Sequence, residues 1–166
     1  MAGVAIYETG VAPEWIDYNG HLRDAYYLLI LSHATDALMD RLGLDASYRA
    51  ASGCTLYTVE AHLHFLHEVR QAERLTVNAL ILGADHKRLH LSLEVQRGSD
   101  GAVAAGAELM LLHVRQGATP ATAPFPAPIQ AAIAALQAAG AGQRPVGPGS
   151  RRLSLGPMGS RPAGDA

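Results

Sequence analysis

At 166 residues the chain has room for one domain with a substantial core and too little for two ordinary ones. Hydrophobic residues make up 49% and charged residues 17%, which suits a globular chain that buries much of its surface, partly in an oligomer. A net charge of −2 leaves no electrostatic footprint for DNA or RNA, so no nucleic-acid partner is expected. The single cysteine, Cys54, excludes an intramolecular disulfide and fits a reducing compartment. The start, Met1 to Trp15, lacks the basic and long apolar character of a secretory signal. No apolar run approaches the roughly 20 residues that cross a bilayer, so a soluble cytoplasmic protein with no membrane partner is expected.

Val4 to Val11 reads as a short first strand stopped by Pro13, and Glu14 to His21 as a loop. From Asp24 to Leu42, Tyr27, Leu31, Ala34, Leu38 and Leu42 recur at helical spacing, with Gly43 as a stop. Leu28, Leu29, Ile30 and Ala37 widen that stripe, so the helix is expected to be buried on most sides. Asp45 to Ala51 reads as a short helical turn ending at Gly53. From Thr55 the period becomes two, with Val59, Ala61, Leu63 and Phe65 on one face and Thr58, Glu60, His62 and His64 on the other. Leu75, Val77, Ala79 and Ile81 form a second run, and Leu89, Leu91, Leu93 and Val95 a third. Asp100-Gly101 signals a hairpin, and Val103 to Val114 is apolar on both faces, as a central strand should be. Ala118 to Pro128 reads as a linker, Ile129 to Ala139 as a docking helix, and the stretch from Gly140 onward as a disordered low-complexity tail.

One strand, one long apolar helix and four consecutive antiparallel strands have an economical α+β solution. A sheet of about five strands wraps around the helix, which is the hot-dog fold. The expected organisation is a domain over 1–116, a linker and docking helix over 117–139, and a tail over 140–166.

The chemistry-bearing stretch is Trp15-Ile16-Asp17-Tyr18-Asn19-Gly20-His21-Leu22, followed by Tyr27-Leu28. Asp17 stands four residues before His21, across Gly20, just ahead of a helix start. Thioester hydrolysis needs a nucleophile or base and a home for a developing oxyanion, and the free N–H groups of a helix start supply the second. Asp17 can supply the first, attacking directly or activating water. On residue types alone, the same pattern also describes an ordinary turn and cap.

The stretch Ile6 to Val114 resembles the 4-hydroxybenzoyl-CoA thioesterase branch of the hot-dog superfamily, through Asp17-Tyr18-Asn19-Gly20-His21 and Tyr27-Leu28. That resemblance implies that Asp17 is the catalytic carboxylate, and that an amide around Tyr26 to Leu28 polarises the carbonyl. It also implies sites shared between two subunits, in a homodimer or dimer of dimers. Many relatives have two asparagines where this chain has Arg23 and Asp24, so substrate positioning by that pair is not carried over. The chain is further similar to the betainyl-CoA thioesterases of carnitine breakdown, which release glycine betaine. The blocks that carry this are Val11 to His21, Ala34 to Leu38, Tyr57 to Leu63, Leu82 to Leu91 and Glu108 to Val114. The alternatives are a thioesterase for another small or aromatic acyl-CoA, or a non-catalytic acyl-CoA-binding module.

A trimethylammonium group favours aromatic faces and carboxylates. The expected substrate-binding residues are therefore Trp15, Tyr18, Asn19, Gly20, Tyr26, Tyr27, Tyr57, Glu60 and His62, with His21 beside Asp17 in catalysis. His62 or Glu60 can reach Asp17 of a partner subunit. Arg74, Lys87 and Arg88 are candidates for the coenzyme A phosphates. Asp36, on the helix, is the rival carboxylate. His62, His64 and His67 have a spacing compatible with a metal, but the chemistry needs none, and neither metal nor cofactor is expected.

Overall fold

The structure, a computed structural model, describes residues 3–145. Strand β1 is Val4–Gly10, and a 3-10 turn at Pro13–Trp15 leads to helix α1, Asp24–Leu42, and helix α2, Ala46–Ser52. Strands β2 (Cys54–Phe65), β3 (Arg74–Ala84), β4 (Arg88–Arg97) and β5 (Val103–Arg115) follow, then β6 (Ala121–Thr122) and helix α3 (Ala127–Ala139). The strands form one antiparallel sheet in the order β1-β3-β4-β5-β2, with the two residues of β6 added to the end of β5.

Strict alternation along β4 puts Leu89, Leu91, Leu93 and Val95 toward the helix, all fully buried. They share one core with Ile30, Leu31, Ala34 and Leu38 of α1. This is the hot-dog arrangement expected from the strand and helix periods. Gly43 ends α1 with φ of 85°, and the Asp45 carboxylate caps α2 by accepting from the Tyr48 N–H at 2.8 Å.

Two expectations are corrected. Helix α1 is not buried on most sides, because Leu28 is 51% and Leu29 38% exposed. One sheet can cover only one stripe of a helix, and these two leucines fall off it. Likewise, the alternation along β2 breaks. A bulge between Thr58 and Glu60 pairs Thr58 with Leu111, on the helix side, and leaves Val59 54% exposed.

The segment after β5 is packed against the domain. Phe125, Ile129 and Ile133 are buried in the same core. His113, 1% exposed, accepts from the Tyr48 hydroxyl at Nε2 (2.9 Å) and donates from Nδ1 to the Ala123 carbonyl (2.8 Å). The tail expected over 140–166 lies, from 146 onward, outside the described residues. No helix among the described residues is long and apolar enough to cross a membrane.

Candidate active site

The loop before α1 is fixed by its own backbone. Isolated bridges join Ile16 to Leu22 and His21 to Arg70, while the Leu22 N–H donates to the Val69 carbonyl at 2.8 Å and the Arg23 N–H to that of Trp15 at 3.0 Å. Gly20 has φ of +83°, where any other residue would be strained, and this lets the chain fold back over Asp17.

Within that loop, Asp17 Oδ1 accepts two main-chain N–H groups, from Asn19 at 2.8 Å and His21 at 3.2 Å. The His21 amide, with that of Asn19, holds the carboxyl below its ordinary range, so Asp17 is an anion at neutral pH. Both bonds fall on Oδ1.

Asp17 opens onto a cavity of about 620 Å³ lined by Tyr18, His21, Leu22, Arg23, Asp24, Tyr27, Phe65, Leu66, His67 and Glu68. Helix α1 points its N-terminus at this space. Of the amides around Tyr26 to Leu28 expected to polarise a carbonyl, that of Tyr26 is taken by the Arg23 carbonyl at 3.0 Å, and the preceding Ala25 N–H by the Asp24 side chain at 2.8 Å. The Asp24 N–H, one step earlier, makes no hydrogen bond to the described residues. Burial raises the Tyr27 hydroxyl to about 12, so it stays neutral. His21 Nε2 lies 3.0 Å from Glu68 Oε2.

Several expected site residues are elsewhere. Trp15 and Tyr26 stack on each other, 5.4 Å between centroids and 16° between planes, bracing the loop-to-helix junction instead of lining the cavity. Asn19 and Gly20 shape the loop from its exposed side. Glu60 and His62 pair at 2.7 Å on the outer face of the sheet, beside the His90–Glu108 pair at 2.6 Å. Tyr57 stands near the start of β2, eight residues before Phe65, roughly 27 Å away along the strand.

The three basic candidates also separate. Arg74 opens β3 and faces Glu8 at 3.8 Å, whereas Lys87 and Arg88 follow its far end, about 33 Å away. One coenzyme A phosphate group cannot meet both ends. Asp85 binds the Arg88 guanidinium at 2.8 Å beside a smaller cavity that includes His90 and Met110. The rival Asp36 lines a different cavity with Asp40 and Arg49, some 18 Å along α1 from Asp24. Among the described residues no group of three or more His, Cys, Asp or Glu is placed to hold a metal. His67, for one, donates from Nδ1 to the Val103 carbonyl at 2.9 Å.

Sequence reasoning missed Phe65, Leu66, His67 and Glu68 as cavity residues. They begin at a strand end 48 residues after Asp17, and long-range contacts such as the His21–Arg70 bridge and the Leu22–Val69 hydrogen bond bring them to the motif.

The chain is similar to several known proteins. It is 52% identical over 130 residues to the betainyl-CoA thioesterase of Pseudomonas aeruginosa, covering 78% of this chain and 81% of the relative. It is 46% identical over 126 residues to the L-carnitine dehydrogenase/betainyl-CoA thioesterase of Agrobacterium fabrum, covering 76% of this chain but only 26% of that longer protein. Among solved structures, a proposed thioesterase from Pseudomonas putida KT2440 superposes with a TM-score of 0.80 at 42% identity, over 93% of this chain and 98% of the other. A family model matches residues 11–133, and the chain belongs to the Thioesterase-like superfamily.

Proposed function

We propose that the chain hydrolyses betainyl-CoA to glycine betaine and coenzyme A, with Asp17 as nucleophile. The observation that carries this is the geometry of Asp17, an anion whose Oδ1 is held by two amides and which lines a cavity at a helix N-terminus. A carboxylate ionised at neutral pH can attack without a separate base to activate it, which suits direct attack. Oδ2 attacks the thioester carbonyl, the Asp24 N–H receives the oxyanion, and coenzyme A leaves as the thiolate. The mixed anhydride on Asp17 is then hydrolysed.

The cavity also suits the acyl group. In a betainyl thioester the quaternary nitrogen is two bonds from the carbonyl carbon, about 2.5 Å away. Whatever recognises that charge must therefore stand beside Asp17. The carboxylates of Asp17, Asp24 and Glu68 and the rings of Tyr18, Tyr27 and Phe65 line that space, against one guanidinium, Arg23. Carboxylates and aromatic faces are the groups that hold a trimethylammonium ion.

A second copy of the chain completes the site. Among the described residues β2 has one sheet neighbour, β5, and its other edge carries the exposed Tyr57, Val59 and Phe65. Two β2 edges paired antiparallel about a two-fold axis set the Cys54 end of one beside the Phe65 end of the other. This brings Tyr57, Lys87 and Arg88 of one protomer toward Asp17 of its partner, and the unit is a homodimer. A coenzyme A substrate and a free buried Cys54 support a cytoplasmic location.

A thiol-release assay over betainyl-, acetyl- and 4-hydroxybenzoyl-CoA tests the proposal. The highest kcat/KM is expected for betainyl-CoA. Release from none of the three, or a preference for either neutral thioester, overturns it.

A further inference from the structure

Once Asp17 carries the acyl group, its carboxylate is an anhydride and can no longer take a proton. Hydrolysis of that intermediate needs another base facing the same space. The titratable or charged groups that line the cavity with His21 are Asp17, Tyr18, Arg23, Asp24 and Tyr27 from the loop and helix start, and His67 and Glu68 from the segment after β2, whose Arg70 bridges the His21 main chain. The Asp24 carboxylate caps the Ala25 N–H, and the His67 ring is held to the Val103 carbonyl. His21 is tied differently, since its main chain holds Asp17 and its Nε2 meets Glu68.

The main chain of Glu68 is fixed, and its carboxylate is 68% exposed at the rim of the cavity. Its carbonyl accepts from Arg97 Nη1 at 2.8 Å, and the next residue, Val69, is fully buried and accepts the Leu22 N–H. A carboxylate oxygen 3.0 Å from Nε2 favours the tautomer that carries its proton there. The other nitrogen is left with its lone pair exposed. Nδ1 of His21 has no protein partner among the described residues.

Resting on the nucleophilic role of Asp17 above, we propose that Glu68 is a positioning residue that orients His21 as the base for the water that clears the acyl-enzyme. Water attacks the anhydride carbonyl while His21 Nδ1 takes one of its protons. The bond to Asp17 breaks, Asp17 leaves with the electron pair, and glycine betaine departs. The imidazolium then gives its proton to solvent, restoring the enzyme.

Rapid mixing of the full chain with the panel thioester it turns over fastest tests this, using Glu68→Gln and Glu68→Asp. For Glu68→Gln, steady-state turnover is expected to fall at least tenfold while a burst approaching one coenzyme A per active site persists, because acylation does not use His21. Glu68→Asp keeps the carboxylate and is expected to recover part of the turnover, with thermal midpoints of both variants close to that of the unaltered protein. Unchanged turnover in Glu68→Gln, a burst lost in step with turnover, or equal losses in the two variants overturns the role of Glu68 while leaving the thioesterase reading intact. No coenzyme A release by the unaltered protein overturns both.

Discussion

The ring of Tyr27 meets that of Phe65 edge to face, 5.2 Å between centroids and 75° between planes, joining the first turn of α1 to the last residue of β2. That contact forms the aromatic wall of the cavity beside Asp17. A positively charged acyl group placed there gains from the ring faces, and a neutral one of the same size gains only contact area.

Phe65→Leu keeps an apolar side chain and removes the ring face. The Michaelis constant for betainyl-CoA is expected to rise about tenfold, the equivalent of roughly 1 kcal/mol or slightly more of cation–π attraction. That for acetyl-CoA should change less than about twofold. Steady-state kinetics on the two thioesters distinguishes this from a general packing defect, which would shift both alike.

Asp85 carries a pH-dependent part of the stability. The Lys87 amide and the Arg88 guanidinium hold its carboxyl far below the ordinary range. A depressed folded-state pKa contributes stability that is present above the unfolded value, near 3.9, and is lost as pH falls through the folded value. Asp85→Asn is therefore expected to melt at a lower temperature than the unaltered protein at pH 7, and the gap to close below about pH 4. Thermal melts across that range, followed by circular dichroism, check the sign.

Ala72 is the one non-glycine residue with a positive φ, 63°, among those described. It sits in the turn that the Glu73 N–H closes onto the Arg70 carbonyl at 3.3 Å. An alanine there bears a left-handed strain of about 1 kcal/mol. Ala72→Gly is expected to offset that strain against a more flexible unfolded chain, giving a net gain of up to about 0.5 kcal/mol. Denaturant unfolding should move the midpoint upward without changing the slope.

Much of this was legible in the residue pattern. The period of two through Leu89, Leu91, Leu93 and Val95 and the helical stripe of α1 both come from burial on one face, which sequence records directly. Asp17 was legible because a carboxylate, a glycine and a helix start fall together in eight residues. The bulge at Val59 was not, since it arises from how β2 meets β5 and no residue in the run marks it. The aromatic residues near the motif misled for a related reason. Proximity in sequence does not say which ring turns inward, and Trp15 and Tyr26 turn to each other. Glu68 and Phe65 reach the site through a long-range bridge, beyond anything local periodicity can show.

The most direct measurement is thiol release from betainyl-CoA by Asp17→Asn. The substitution keeps the shape and an oxygen for the amides of Asn19 and His21, and removes the negative charge that attacks. Turnover is expected to fall by about a thousandfold or more, on the scale of losing a catalytic group, with folding retained. An Asp17→Asn protein that releases coenzyme A at the unaltered rate would contradict the assignment of Asp17 as the reacting carboxylate.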